Sequence, residues 1–225
     1  MLQKENKMNG IEKLIPQSGY MEVHFEGNPK RIENMSYSSL INFIDRATVE
    51  KESIKVFPNH AGVSTISYLK SGGAEHIFLK RSAGNTQYQF DRIYSIPCPT
   101  LIFALTIRNG LLQHINVAAA KQETLNEMTP VFIYPFTNAG GNTGALCSGS
   151  FNLQAIKKKK MADYFTIPEF VLTSRSNQHY FKHKKGYDLK QYLSYLEENQ
   201  QFDFENLMPS GMTLKEFIGA CAHDR

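Results

Sequence analysis

Between Gly62 and Ala118 the chain alternates short β-prone runs with turn formers, and this rhythm leaves few folds open to it. The runs are VSTISYL, HIFLKR, TQYQFDRIYSI, LIFALTI and LLQHINVA, separated by SGG, SAGN, PCP and RNG. Branched and aromatic side chains suit a pleated, half-buried surface, whereas Gly, Pro and Asn reverse the chain, so the pattern predicts a meander of antiparallel strands. Its sharpest signal is Arg108-Asn109-Gly110, because Asn and Gly tolerate the positive φ of a tight hairpin. Pro97-Cys98-Pro99 reads as a rigid turn into LIFALTI.

Upstream, the first eighteen residues lack a consistent period and contain Pro16, which predicts a loosely ordered lead-in to the alternating segment YMEVHF at 20–25. From Ser36, the run SYSSLINFIDRAT spaces Leu40, Ile41, Phe43 and Ile44 as on a short amphipathic helix. FPNHAG at 57–62 reads as a turn. Residues 1–60 therefore form an N-terminal extension with a short helix, ahead of a domain over 61–225.

Downstream, the apolar run VFIYPF at 131–136 gives way to TNAGGNTGALCSGS, a loop of small residues around one thiol. Helix signals follow: Met161 to Phe165; Asp188 to Glu198 with Leu189, Tyr192, Leu193 and Leu196 on one face; and a last helix opened by the box TLKE at 213–216. The expected class is α+β, an antiparallel meander followed by a cysteine-bearing loop and C-terminal helices.

Composition narrows the function. A chain of 225 residues with 41% hydrophobic content and 15 phenylalanines can bury a core. Its net charge of +4 is too mild and dispersed to announce nucleic acid. No stretch approaches the roughly 20 apolar residues that span a bilayer, and the polar start MLQKENKMNG has no apolar signal core, so a cytoplasmic protein with no membrane partner is expected. The cysteines Cys98, Cys147 and Cys221 are odd in number and widely spaced, which suits neither a disulfide framework nor a metal site. No phosphate-binding glycine motif is present, so no nucleotide, other cofactor or metal is expected.

The best chemical signal is YPFTNAGGNTGALCSGS. A thiol that accepts an activated acyl group must be approachable and flanked by donors for the oxyanion of the tetrahedral intermediate. Gly140, Gly141 and Gly144 permit a tight loop, Asn138 offers an amide donor, and Cys147 supplies the nucleophile. His179, with His183 four residues on, could deprotonate an attacking amine if that segment folds back over the cysteine.

In these residues the chain resembles the ubiquitin-conjugating (UBC) superfamily, whose flap runs from His-Pro-Asn through a glycine to the catalytic cysteine after a meander of strands. Pro135, Asn138, Gly144 and Cys147 stand in the corresponding order. Tyr134 stands where that histidine would be, and Phe136 and Thr137 separate Pro135 from Asn138. The segments IPCPTLIFALTIRNGLLQHINVAA, VFIYPFTNAGGNTGALCSG and FVLTSRSNQHY, the last with Ser174 and His179, are similar to the bacterial branch called PRTRC system protein B, or prokaryotic UBC-like family D. The resemblance implies a UBC-like fold over about 60–180 and a ubiquitin-like modifier held as a thioester on Cys147. It also implies a ThiF-like adenylating enzyme as donor and a JAB-type metallopeptidase in the same plasmid-borne or integrative system.

Each residue has a plainer explanation. Cys147 could be a small buried hydrophobe, Asn138 an Asx turn that shapes the loop, and His179 a structural or surface histidine. Calling His179 and His183 a metal pair is weaker still, because no further ligand stands at helpful spacing. Cys98 and Cys221 read as packing. Lys157 to Lys160 reads as a solvated face, the alternative being a plasmid-maintenance protein touching DNA through it and Lys182 to Lys185. The alternative to catalysis is a scaffold that keeps the fold and docks other members of the system.

Overall fold

The computed structural model describes residues 11–17, 20–25, 31–36, 50–51, 62–147 and 161–223. The chain divides into two compact units, Met1–Lys51 with Lys70–Gly73, and Glu52–Leu69 with Ala74–Arg225.

In the first unit, strands β1 (Ile11–Gln17), β2 (Tyr20–Phe25) and β3 (Arg31–Met35) pair antiparallel in that order, and β4 (Glu50–Lys51) is a two-residue strand. For residues 11–17 this corrects the loosely ordered lead-in expected before Tyr20; residues 1–10 lie outside the described residues. Pro16 is compatible with a strand because β1 is an edge of this three-stranded sheet, where a missing N–H can face away from the ladder. The helix expected from Ser36 onward lies outside the described residues, as does FPNHAG apart from Gly62.

The second unit carries the meander, apart from the last two residues of its first strand: β5 (Val63–Ser71), β6 (Ala74–Arg81), β7 (Gly84–Gln89), β8 (Ile93–Cys98), β9 (Thr100–Arg108) and β10 (Leu111–Ala120). In space the order is β5-β6-β9-β10, with β7 and β8 paired only with each other. Asn109 and Gly110 close the β9–β10 hairpin at φ +52° and +72°, with Arg108 opposite Leu111, as the sequence predicts.

Two expectations are corrected here. TQYQFDRIYSI is not one strand, because the chain reverses at Phe90-Asp91-Arg92, where the Phe90 N–H donates to the Arg92 carbonyl (3.0 Å) and Asp91 Oδ1 accepts from the Arg92 N–H (3.0 Å). Nor is Pro97-Cys98-Pro99 a turn: Pro97 and Cys98 stay paired, opposite Asn85 and Gly84. Arg81 opposes Leu101 and, three positions further along each strand, Gly84 opposes Cys98, so the register passes through unchanged. Strands β6–β7 and β8–β9 are thus two legs of one long hairpin that bends between two sheets. Glu123 holds the bend, accepting from the Ala83 N–H and the Thr100 hydroxyl (2.8 Å) and pairing with Lys80 (3.5 Å).

The last two α-helices fall where the sequence places them, whereas the signal at Met161 to Phe165 is a 3-10 turn and the α-helix that follows it at Ile167–Thr173 is not among the expected ones. A 3-10 turn, Met161–Thr166, leads into α1 (Ile167–Thr173), which packs on β7; α2 (Leu189–Asn199) packs on β8. Asp188 opens α2 with a capping box to Gln191, and Leu189, Tyr192, Leu193 and Leu196 are its buried face. Arg92 and Ser95 at the hairpin tip both bond Glu197 of α2. In the box before α3 (Leu214–His223), the Thr213 N–H donates to Glu216 Oε2 (2.8 Å) and the Glu216 N–H to Thr213 Oγ1 (3.3 Å). Helix α3 contacts β9, β11 (Pro130–Ile133) and β14 (Pro209–Thr213), and β11 bridges β10 to β14.

Leu101, Phe103, Leu105 and Ile107 of β9 join Ile77, Leu79, Tyr88, Ile96, the buried faces of α1 and α2, and Phe136 in one core. The other face of β9, Ile102 and Ala104, is buried as well. The fold is therefore α+β, an antiparallel sheet with three α-helices, all C-terminal among the described residues. Among the described residues no helix is long and apolar enough to cross a membrane.

Candidate functional site

After β11 the chain places Tyr134 and Phe136 in the core and then turns back on itself. Strands β12 (Ala139–Gly140) and β13 (Ala145–Leu146) form a miniature hairpin, with Gly140 opposite Ala145, and β13 lies against β10 with Ala145 opposite Asn116. This corrects the expectation of a plain loop: two-residue strands within the segment join the sheet beside β10. Gly144 sits at φ +60° and its carbonyl accepts the Val117 N–H at 2.9 Å.

The loop's root is tied to the core by a buried hydroxyl. Tyr88 of β7 shares a 3.2 Å hydrogen bond with Thr137 Oγ1, and the Ser176 N–H donates to the carbonyl of Gln89, the neighbour of Tyr88, at 2.9 Å. Burial raises the Tyr88 phenol above its ordinary pKa, with the side chains of Ser176 and Thr137 opposing that shift. The Phe136 ring lies 4.9 Å from that of Tyr88 and 5.4 Å from that of Tyr134. Tyr134 is only 4% exposed, and burial holds its phenol well above the ordinary value.

The three residues chosen from the sequence come together through the main chain. The Asn138 N–H donates to the His179 carbonyl (3.2 Å), and the Asn138 carbonyl accepts the Cys147 N–H (2.6 Å). Asn138 adopts φ +68°, a left-handed conformation that asparagine tolerates better than most residues. Its amide side chain and the His179 ring take no part in these two bonds. The His179 N–H donates to Asn177 Oδ1 at 2.7 Å, and its ring meets that of Tyr180 edge-on.

The cysteines differ in surroundings. Cys147 is exposed, whereas Cys98 and Cys221 are buried. Burial pushes the Cys98 thiol up to about 12. A thiol held neutral is a poor nucleophile, so of the three only Cys147 is placed to meet an incoming reagent.

His183 does not reach the cysteine loop by any bond described. It stacks among aromatic rings instead, 4.8 Å from Tyr187, 4.5 Å from Tyr192 and 6.3 Å from Phe181. Its Nδ1 accepts the Lys185 N–H at 3.3 Å, and its Nε2 is buried with no hydrogen-bond partner among the described residues. Desolvation lowers its pKa below the ordinary 6.5; the Asp203 charge opposes this and the Lys185 charge adds to it. The folded state then binds fewer protons than the unfolded one, so stability is full above 6.5 and is lost as pH falls through that value towards the folded pKa. The His183→Phe variant keeps an aromatic ring and removes the proton site, and its melting temperature should fall less between neutral and mildly acidic buffer than that of the wild type. Equal falls in the two proteins would exclude His183 as the group responsible.

Lys184 and Lys185 are occupied within the chain, Lys184 with the Glu205 carbonyl and Lys185 with Asp203 at 3.1 Å. Lys157 to Lys160 lie outside the described residues. Among the described residues no three His, Cys, Asp or Glu side chains gather as a metal site.

The sequence did not single out Tyr88, Thr137, Ser176 or Tyr180. Tyr180 is 61% exposed at φ +66°, and its ring lies over Gly140. Only the Gly140-Gly141 pair hinted that something approaches the loop closely. Comparison with family models, with curated proteins and with solved structures returns no match.

Proposed function

We propose that the protein is a ubiquitin-conjugating-like carrier, of the kind found in PRTRC systems, that accepts a ubiquitin-like modifier as a thioester on Cys147. The observation that carries this reading is the contrast among its thiols. Cys147 alone is exposed, on a loop fixed by main-chain bonds to β10 and to His179, while Cys98 and Cys221 are packing residues. The order of parts also supports a UBC-like domain: a meander β5-β6-β9-β10, then a cysteine loop, then helices.

In this reading a ThiF-like partner activates the modifier's C-terminal carboxylate as an acyl adenylate. The Cys147 thiolate attacks the acyl carbon, the C–S bond forms and AMP leaves. Backbone N–H groups of the loop, with the Asn138 amide, are the oxyanion donors, and His179 takes the proton of the amine that later receives the acyl group. A JAB-type metallopeptidase would reverse the conjugation. The test is incubation with the adenylating enzyme, the ubiquitin-like protein, ATP and magnesium, read by non-reducing electrophoresis: a thiol-labile adduct supports the carrier.

A scaffold that only docks the modifier is the second reading, and Tyr134 favours it. The residue at the position of the UBC histidine is a core tyrosine packed on Phe136, so that catalytic-family feature has been given over to packing. Binding of the modifier with no adduct, alongside an adenylating enzyme shown to be active, would select the scaffold.

A further inference from the structure

Tyr180 combines three features that rarely coincide. It is a bulky residue in the left-handed region, at φ +66°, a conformation that costs about 1–2 kcal/mol outside glycine. It is 61% exposed, so little burial of its own offsets that cost. And its ring rests on the cysteine loop: a Cβ added to Gly140 would sit 3.3 Å from Cδ1 and from Cε1 and 3.5 Å from Cζ. Gly140 is not needed for a positive φ; its missing side chain leaves room for this ring.

The same segment makes a second contact with the loop, through the His179 carbonyl and the Asn138 N–H (3.2 Å). Asn138 in turn holds the Cys147 N–H (2.6 Å). Beneath, adjacent residues of β7 hold both starts: Tyr88 bonds Thr137, where the cysteine loop begins, and the Gln89 carbonyl accepts the N–H of Ser176, where this segment begins. Two stretches far apart in sequence are therefore joined at the root of the loop and along its first strand, where the Tyr180 ring covers Gly140.

We infer that Tyr180 is the positioning residue of the cysteine loop. Its ring clamps Gly140 and keeps Asn138 in the left-handed conformation that fixes the backbone of Cys147. The inference rests on the carrier reading only for its consequence in acyl transfer; the clamp itself is a property of the isolated chain. The contacting atoms are ring carbons, so Tyr180→Phe preserves the clamp and Tyr180→Ala removes it. Gly140→Ala should displace the ring from the other side.

The test is amide hydrogen exchange, resolved by residue, on the full chain as wild type, Tyr180→Phe, Tyr180→Ala and Gly140→Ala. Tyr180→Ala and Gly140→Ala are expected to speed exchange at Asn138 and Cys147 by about tenfold. Phe103 and Val117 in the sheet should stay unchanged, and Tyr180→Phe should match the wild type. Unchanged exchange at Asn138 and Cys147 in Tyr180→Ala, or an equal loss of protection in Tyr180→Phe, would overturn the clamp. If the carrier reading holds, Tyr180→Ala should also slow adduct formation on Cys147 while Tyr180→Phe does not. A wild type that shows the exchange pattern but forms no adduct keeps the clamp and removes the carrier.

Discussion

Replacing Cys147 by alanine is expected to abolish the thiol-labile adduct completely and to leave the melting temperature within about a degree of the wild type. Exposed side chains away from special features change stability by less than about 0.5 kcal/mol. Cys147 is exposed, and the bond that fixes it runs from its main-chain N–H to the Asn138 carbonyl, which alanine retains. Loss of the adduct therefore reports chemistry rather than unfolding. The matched control is Cys98→Ala, which removes a thiol buried at 2% exposure and should lower stability while leaving the adduct in place. An adduct that survives in Cys147→Ala would move the acceptor to another nucleophile and end the carrier reading. Alkylation offers a partner-independent check, since Cys147 should label at neutral pH well before Cys98 or Cys221.

The parts of this fold that were legible in sequence are those that short-range physics decides. Asn109-Gly110 can close a hairpin on its own, and Leu189, Tyr192, Leu193 and Leu196 declare a helical face whatever they pack against. The Thr213–Glu216 box likewise needs only its own four residues. The failures are places where pairing with another strand outweighs what a proline suggests by itself. Pro97-Cys98-Pro99 looked like a turn because two prolines rigidify a chain, yet Cys98 pairs with Gly84 and the real reversal is at Asp91. Pro16 argued against a strand until β2 made β1 an edge.

The cysteine loop divides in the same way. Its glycines and single thiol are visible in composition, and so is the suitability of Asn138 for a turn. Its closure is not visible, because the groups that close it, the Tyr88 hydroxyl and the Tyr180 ring, lie 49 and 40 residues from the residues they touch, Thr137 and Gly140. His179 was chosen for its imidazole, yet the group it gives the loop is a main-chain carbonyl that any residue there would supply. Its ring still has a part in the proposed chemistry, and His179→Ala in the charging assay separates the two contributions, since alanine keeps the carbonyl.

Gly144→Ala should be the most damaging single methyl in the loop. Two costs add at that position. The residue adopts φ +60°, which alanine resists by about 1–2 kcal/mol. The added Cβ would also run into the Val117 carbonyl, a main-chain group of β10 that cannot rotate away. Relief requires β13 to lift off β10, breaking the 2.9 Å bond from the Val117 N–H to Gly144 and the pairing of Ala145 with Asn116. A combined cost of about 2–3 kcal/mol is expected, taking the strain together with one lost hydrogen bond of about 1 kcal/mol. Part of that cost can be avoided by local detachment, so the melting temperature should fall by less than the sum, while amide protection at Cys147 and adduct formation are lost. Gly141→Ala isolates the dihedral cost: φ there is +72°, but a Cβ would meet nothing within 4 Å, so the destabilisation should stop at the dihedral penalty of about 1–2 kcal/mol with the adduct retained. Equal effects of the two substitutions in thermal melts and charging assays would mean that close packing against Val117 does not hold the loop, and that its shape comes from the glycine dihedrals alone.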